Sequence, residues 1–274
     1  MIIKKAYAKI NLALEVKNKV DGYHKVNNLM IPIDLYDEIV LEKAKADAIT
    51  CGSQIENNIC KKALDIFKKR FNIKEGVSIF IIKRIPIMAG LAGGSTDAAA
   101  TLIGLKELFK LDISEKQLLE MAAELGSDVP FFISNQLALC TNRGEEITPL
   151  PITYKPLNII LIKPNVGLST KEVYDNYEWD KIDKTDRVQE VIGALEKNDI
   201  ESLKQFVFND LEKPALELSQ ELFDLYSNLD GLGLKPFVSG SGPTIYLIEP
   251  SDEDVVLIKA LLQEDDFILK TTTL

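Results

Sequence analysis

The chain has 274 residues, 46% of them apolar and 27% charged, with a net charge of −10 at neutral pH. That is the make-up of a folded protein with ample core, and its acidity argues against nucleic-acid or anionic-membrane partners. Three cysteines, Cys51, Cys60 and Cys140, have no metal spacing and read as reduced thiols. No stretch nears the roughly 18 apolar residues of a membrane span. The opening M-I-I-K-K-A-Y-A-K does not read as a secretory signal, so a cytoplasmic protein is expected.

From Ala8 to Val16 the residues alternate, which predicts a strand. Ile10, Leu12, Leu14 and Val16 face one way; Lys9, Asn11 and Glu15 face the other, by pattern alone toward solvent. Asp21-Gly22 marks a turn, followed by Tyr23 and by His24, the single histidine. Asn57 or Asn58 can cap a helix carrying Ile59, Ala63, Ile66 and Phe67. Val77 to Lys83 reads as a strand that feeds the loop Pro86–Gly94. Beyond it, Ala98, Ala99, Leu102, Leu105, Leu108 and Phe109 recur at helical spacing. Gly90, Gly93 and Gly94 let the backbone turn and let an anion approach the amides, while the helix start offers unpaired N–H groups and a positive dipole end. Ser95 or Thr96 can cap this helix or give a hydroxyl to a phosphate, and Asp97 falls in its first turn. No Gly-Lys-Ser/Thr completes a P-loop, and Ala92 breaks a G-x-G-x-x-G pattern.

Ser114–Gln117 is a capping box opening a helix through Leu118, Ala122 and Leu125 that ends at Gly126. By itself Asp128 reads as the N-cap of a short helix. The proline-rich stretch Pro149–Pro156 predicts a boundary between a domain of residues 1–150 and one of 151–274. The second half reads as strand 157–163, helices near 187–208 and 215–229, strands 236–239 and 244–248, a helix near 253–262 and a strand at 267–271. That is close to β-α-β-β-α-β with one extra helix, a ferredoxin-like arrangement. Ser239 to Thr244 lies between its middle strands as a hairpin turn rich in glycine and serine. Ser169 or Thr170 can cap a further helix.

The string P-x-x-A-G-L-A-G-G-S-T-D-A-A, from Pro86 to Ala99, resembles the phosphate loop of the GHMP kinases. Four further blocks resemble that family in the same order. They are A-K-I-N-L at Ala8 with D-G-Y-H-K-V at Asp21, G-S-D-V-P-F-F at Gly126, N-V-G-L-S-T-K-E-V-Y at Asn165, and Ser239–Thr244. Ala92 and Thr96 depart from the more usual glycine and serine. The resemblance implies an α+β fold in two halves, the first like domain 2 of ribosomal protein S5 and the second ferredoxin-like. It implies an ATP- and Mg²⁺-dependent kinase whose substrate is diphosphocytidyl-methylerythritol, phosphorylated on its 2-hydroxyl, in a monomer or homodimer. On the same basis Asp128 accepts the hydroxyl proton and Lys9 offsets charge on the transferred phosphoryl group. ATP lies along Pro86 and the loop Gly90, Leu91, Ala92, Gly93, Gly94, Ser95 and Thr96, with Asn57 and Lys83 near adenine. Tyr23 and Tyr174 sandwich the cytosine and His24 hydrogen-bonds it, while Asn11, Thr170, Gly240, Ser241 and Gly242 complete the substrate side. The metal ligands stay open. Another small-alcohol kinase of the family, such as one for homoserine, or a non-catalytic nucleotide sensor on the same fold, are the alternatives.

Overall fold

The computed structural model describes residues 1–20, 22–52, 58–178 and 187–274. Two long strands, β1 (Ile2–Val20) and β2 (Tyr23–Ala44), pair antiparallel along most of their length. After β3 (Ala48–Cys51) come α1 (Ile59–Phe71), β4 (Gly76–Ile82), α2 (Gly93–Phe109), α3 (Glu115–Leu125) and the single-turn α4 (Phe131–Ser134). The hairpin β5 (Ala138–Thr141) and β6 (Glu146–Pro149) follows. Then come β7 (Asn158–Lys163), α5 (Thr170–Asp175), α6 (Arg187–Glu196), α7 (Ile200–Phe206) and the short β8 (Phe208–Asn209). The chain continues through α8 (Glu212–Leu218), α9 (Gln220–Gly231), β9 (Phe237–Val238), β10 (Ile245–Ile248), α10 (Asp252–Leu261) and β11 (Phe267–Thr272).

The first sheet runs β3-β4-β2-β1-β8, with β5 also paired to β2 and β6 to β5. Helices α1 to α4 cover one face. Cys60, Ala63, Leu64 and Phe67 recur at i, i+3, i+4 and i+7 on α1 and turn inward against Ile39, Leu41 and Ile79 of the sheet. Asn58, not Asn57, caps α1, its side chain accepting from the Cys60 N–H; Asn57 and Asp21 lie outside the described residues. The second sheet has the order β11-β7-β10-β9, all antiparallel. That order is the one a β-α-β-β-α-β unit produces, as expected. A shared core that includes Ile10, Leu12, Leu29 and Ile31 of the first sheet and Ile159, Leu161 and Tyr246 of the second joins the two, with α6 and α7 packed into it.

Three local expectations change. The helix expected over 187–208 is two, because Asn198 takes a left-handed φ of 53° and Asp199 caps α7 by accepting from the Ser202 N–H. The helix expected over 215–229 is broken at Ser219, whose extended backbone (φ −143°) and side chain cap α9. The face of β1 that bears Lys9 and Asn11 is not solvent-facing, since Lys9 is 3% and Asn11 1% exposed. The cover on that face is the backbone of the glycine loop and the turn after β9, elements remote in sequence.

Candidate active site

The loop between β4 and α2 positions the site. Ala92 sits in the left-handed region (φ 58°) and is the N-cap of α2, so the helix begins at Gly93 and takes no side-chain cap. This corrects the reading of Ser95 or Thr96 as a cap. Thr96 is 2% exposed and belongs to the buried side of the helix, while Ser95 lines a cavity of about 940 Å³. Gly90 has φ 72°, and a Cβ there would collide with the Ser239 carbonyl oxygen and lie 2.9 Å from that of Gly242. Only glycine lets the loop pack so closely on the turn after β9. The Lys9 N–H donates to the Leu91 carbonyl at 3.3 Å and the Thr244 N–H to that of Ala89 at 3.4 Å, tying the loop to both sheets.

Beneath this loop lies Lys9. Its ammonium donates to the Gly90 carbonyl and to Asn11 Oδ1, each at 2.7 Å. Asn11 Nδ2 donates to Asn28 Oδ1 at 2.6 Å, and Tyr246 Oη donates to the Asn11 carbonyl at 2.6 Å. Ser239 Oγ donates to the Gly90 carbonyl at 3.2 Å. Burial lowers the Lys9 pKa below the usual lysine value, and the negative charge of Asp128 pushes partly back. A half-buried carboxylate and a buried ammonium thus line one cavity, with the charge of the first acting on the second.

Asp128 is not a helix cap. The cap position of α4 is Pro130 and no side chain bonds there, so the carboxylate is left to face the cavity from the turn after α3. Its charge also acts on Tyr174, whose phenol is pushed far up, first by burial and then by Asp128. The aromatic end lines the same cavity as the carboxylate. Tyr174 stacks on His24 with ring centroids 5.6 Å apart and planes 29° apart. Tyr177 meets the same imidazole edge-on at 6.0 Å. Tyr23, 59% exposed, carries the Arg143 guanidinium 5.2 Å from its ring centre. Thr170 Oγ1 and Ser241 Oγ are 2.9 Å apart, which joins the start of α5 to the turn after β9.

At the other end, Lys83 bridges two carboxylates. Its ammonium donates to Asp97 Oδ2 at 2.7 Å and to Asp37 Oδ2. Asp37 Oδ1 accepts from the Arg84 and Ile85 N–H groups. Asp97, expected in the first helical turn as a partner of the dipole, lies one position further in and pairs with Lys83 instead. Burial raises its pKa to about 7, against Lys83 and with help from the charge on Asp37.

One cavity thus brings together Lys9, Asn11, Asp128, Tyr23, His24, Lys83, Pro86, Gly90, Ala92, Gly93, Gly94, Ser95, Thr170, Tyr174, Gly240 and Ser241. It does not include Leu91, 1% exposed, or Thr96, both turned into the core, nor Gly242, whose position faces Val238, Leu168 and Ala215. Sequence reasoning missed Asn28, Arg143 and Tyr177 on its walls or rim. Asn28 carried only a weak signal, the second of two adjacent asparagines at the edge of the apolar run Leu29–Ile33; Arg143 and Tyr177 carried none.

Residues 58–136 match the GHMP kinases N terminal domain and residues 191–264 the GHMP kinases C terminal domain, and the chain belongs to this family of ATP-dependent kinases. Over 252 residues it is 42% identical to the 4-diphosphocytidyl-2-C-methyl-D-erythritol kinase of Clostridium botulinum (strain Loch Maree / Type A3), covering 89% of this chain and 90% of that one. The kinase of the same name from Caldicellulosiruptor bescii is 40% identical, covering 88% of this chain and 87% of that one. A crystal structure of 4-(cytidine 5'-diphospho)-2C-methyl-D-erythritol kinase superposes with a TM-score of 0.81 at 28% identity, over 99% of both chains. Homoserine kinase from Cytophaga hutchinsonii shares the fold at a TM-score of 0.67 and 18% identity, covering 98% of this chain and 94% of that one.

Proposed function

We propose that this chain transfers the γ-phosphoryl group of ATP to the 2-hydroxyl of 4-diphosphocytidyl-2-C-methyl-D-erythritol, the compound named in its relatives. The observation that carries the reading is the joint one: a glycine loop at a helix start, a buried lysine, a carboxylate and an aromatic pocket, all on one cavity. In this reading residues 1–150 hold the nucleotide, and residues 151–274 supply Thr170, Tyr174 and the turn Ser239–Thr244.

The substrate hydroxyl oxygen bonds to the γ-phosphorus as the bond to the ADP oxygen breaks, and the hydroxyl proton passes to Asp128. Phosphoryl transfer asks a protein mainly for positioning and for charge opposite the three equatorial oxygens. Lys9 supplies a charge with little freedom to wander, since two short hydrogen bonds already hold it. The loop amides at Gly93 and Gly94 face the phosphates at the start of α2. Tyr23, His24 and Tyr174 take the cytosine, the His24 imidazole already stacked on the Tyr174 ring.

The described residues hold no group of three or more His, Cys, Asp or Glu side chains able to cage a metal. Mg²⁺ needs no such cage, since it binds through phosphate oxygens and water with one or two protein oxygens. Ser95, whose hydroxyl is not used as a cap and lines the cavity, would hold it. When bound it offsets charge on the phosphate oxygens.

Steady-state kinetics with Mg²⁺-ATP and each of the cytidyl compound, homoserine and mevalonate test the reading. Turnover is expected with the first alone. A comparable kcat/KM for either of the others would overturn it.

A further inference from the structure

The hydrogen bonds behind Lys9 form a chain whose direction is fixed by chemistry. An ammonium only donates, so Asn11 must turn its amide oxygen toward Lys9. That commits the Asn11 NH₂ to the opposite side, where it needs an acceptor, and Asn28 Oδ1 is the atom present, at 2.6 Å. The Asn11 backbone is pinned independently by Tyr246 Oη. The rotation of its amide is set by Lys9 at 2.7 Å and more weakly by Ser239 Oγ at 3.5 Å on the oxygen side, and by Asn28 on the nitrogen side. We infer that Asn28 is a positioning residue for phosphoryl transfer: by accepting from Asn11 it keeps the amide oxygen on Lys9, and so keeps the ammonium at the Gly90 carbonyl under the phosphate loop.

The strand geometry supports this. Asn28 lies on β2 opposite Leu14 and Cys140, among apolar neighbours, and is 6% exposed. A β-branched or aliphatic residue would suit a buried strand there better than an amide. Between Asn11 and Ala13 the β1–β2 register slips by one residue, Asn11 facing Met30 and Ala13 facing Leu29. That irregularity re-aims the two amides so that they meet diagonally across the strands. Without Asn28 the buried Asn11 NH₂ loses its acceptor, and only Lys9 and the 3.5 Å contact from Ser239 Oγ hold the amide oxygen in place.

The inference rests on the role given to Lys9 above, and its test separates the two. In the full-length enzyme, Asn28→Leu should lower kcat on the order of 10- to 100-fold, the scale seen when the residue orienting a functional group is lost. KM for ATP and for the cytidyl substrate should stay within about threefold, because the charge acts at the transition state. Placed on Lys9→Met, the same change should cost less than about twofold more, since its target is already gone. Should Asn28→Leu fail to fold, Asn28→Ser, too short to reach Asn11, carries the same expectations. If Lys9→Met leaves kcat intact, the role of Lys9 is wrong. If Lys9→Met lowers kcat to a measurable residual rate while a folded Asn28 variant keeps wild-type kcat, or adds its full loss to that of Lys9→Met, this inference alone is overturned.

Discussion

Lys83 bridges two carboxylates in the core, Asp37 at 0% and Asp97 at 3% exposure. Lys83→Met keeps the aliphatic stem and removes the charge. Asp37 would keep two backbone donors, but Asp97 would lose the ammonium on Oδ2 while its Oδ1 already has no hydrogen-bond partner, leaving it against the like-charged Asp37. Breaking a buried ion pair from one side costs about 3–5 kcal/mol. For a chain of this length that lowers Tm by roughly 6–20 °C, at about 2–4 °C per kcal/mol. The deficit should depend on pH. Burial, against Lys83 and with Asp37, raises Asp97 to about 7, whereas in the unfolded chain it titrates as an ordinary aspartate near about 4. Between these values the folded state binds a proton that the unfolded state has released, so this group's contribution to stability falls as pH rises. Losing Lys83 removes the charge that opposes the shift, which carries the fall on to higher pH. Urea unfolding of both proteins at about pH 5 and about pH 8 should therefore show the larger deficit at the higher pH. A deficit under about 1 kcal/mol at the higher pH, or one that grows on acidification, would refute the argument.

Three further outcomes are expected. Asp128→Asn keeps size but cannot take the hydroxyl proton, so kcat should fall on the order of 10²–10⁴ with ATP affinity intact; activity within a few-fold of wild type would remove Asp128 from the chemistry. Tyr23→Ala and Tyr174→Ala should each raise KM for the cytidyl substrate roughly 5- to 150-fold, from about 1–3 kcal/mol of base stacking, and leave KM for ATP unchanged. Equal effects on both Michaelis constants would count against a cytosine clamp. Gly90→Ala places a Cβ against the carbonyl oxygens of Ser239 and Gly242 at a φ of 72°, so stability should drop by more than about 2 kcal/mol, read from the unfolding midpoint, and kcat should fall as the Gly90 carbonyl leaves Lys9. An unaltered variant would show that the loop does not need this close approach.

Much of the local architecture was legible in the residues alone. The Ser114 capping box, the strand–loop–helix around Gly90 and the order of the C-terminal elements all follow from short-range patterns. Periodicity and capping act within one or two turns of chain, so a sequence displays them directly. The family blocks likewise marked most residues that now share the cavity. What the pattern could not show is which polar face is buried. Lys9 and Asn11 read as a wet strand face because their cover comes from Gly90 and Ser239, some 81 and 228 positions away along the chain from Lys9 and Asn11 respectively. Ser95 and Thr96 offered good capping chemistry, but a left-handed Ala92 started the helix earlier and sent Thr96 into the core. Asp97 looked like a partner for a helix dipole until the fold brought Lys83 and Asp37 against it, and burial then outweighed the dipole in setting its charge. The sequence determined which elements form and what chemistry they carry. Tertiary contact alone decided which polar groups lost water, and so which of them must hold one another in place.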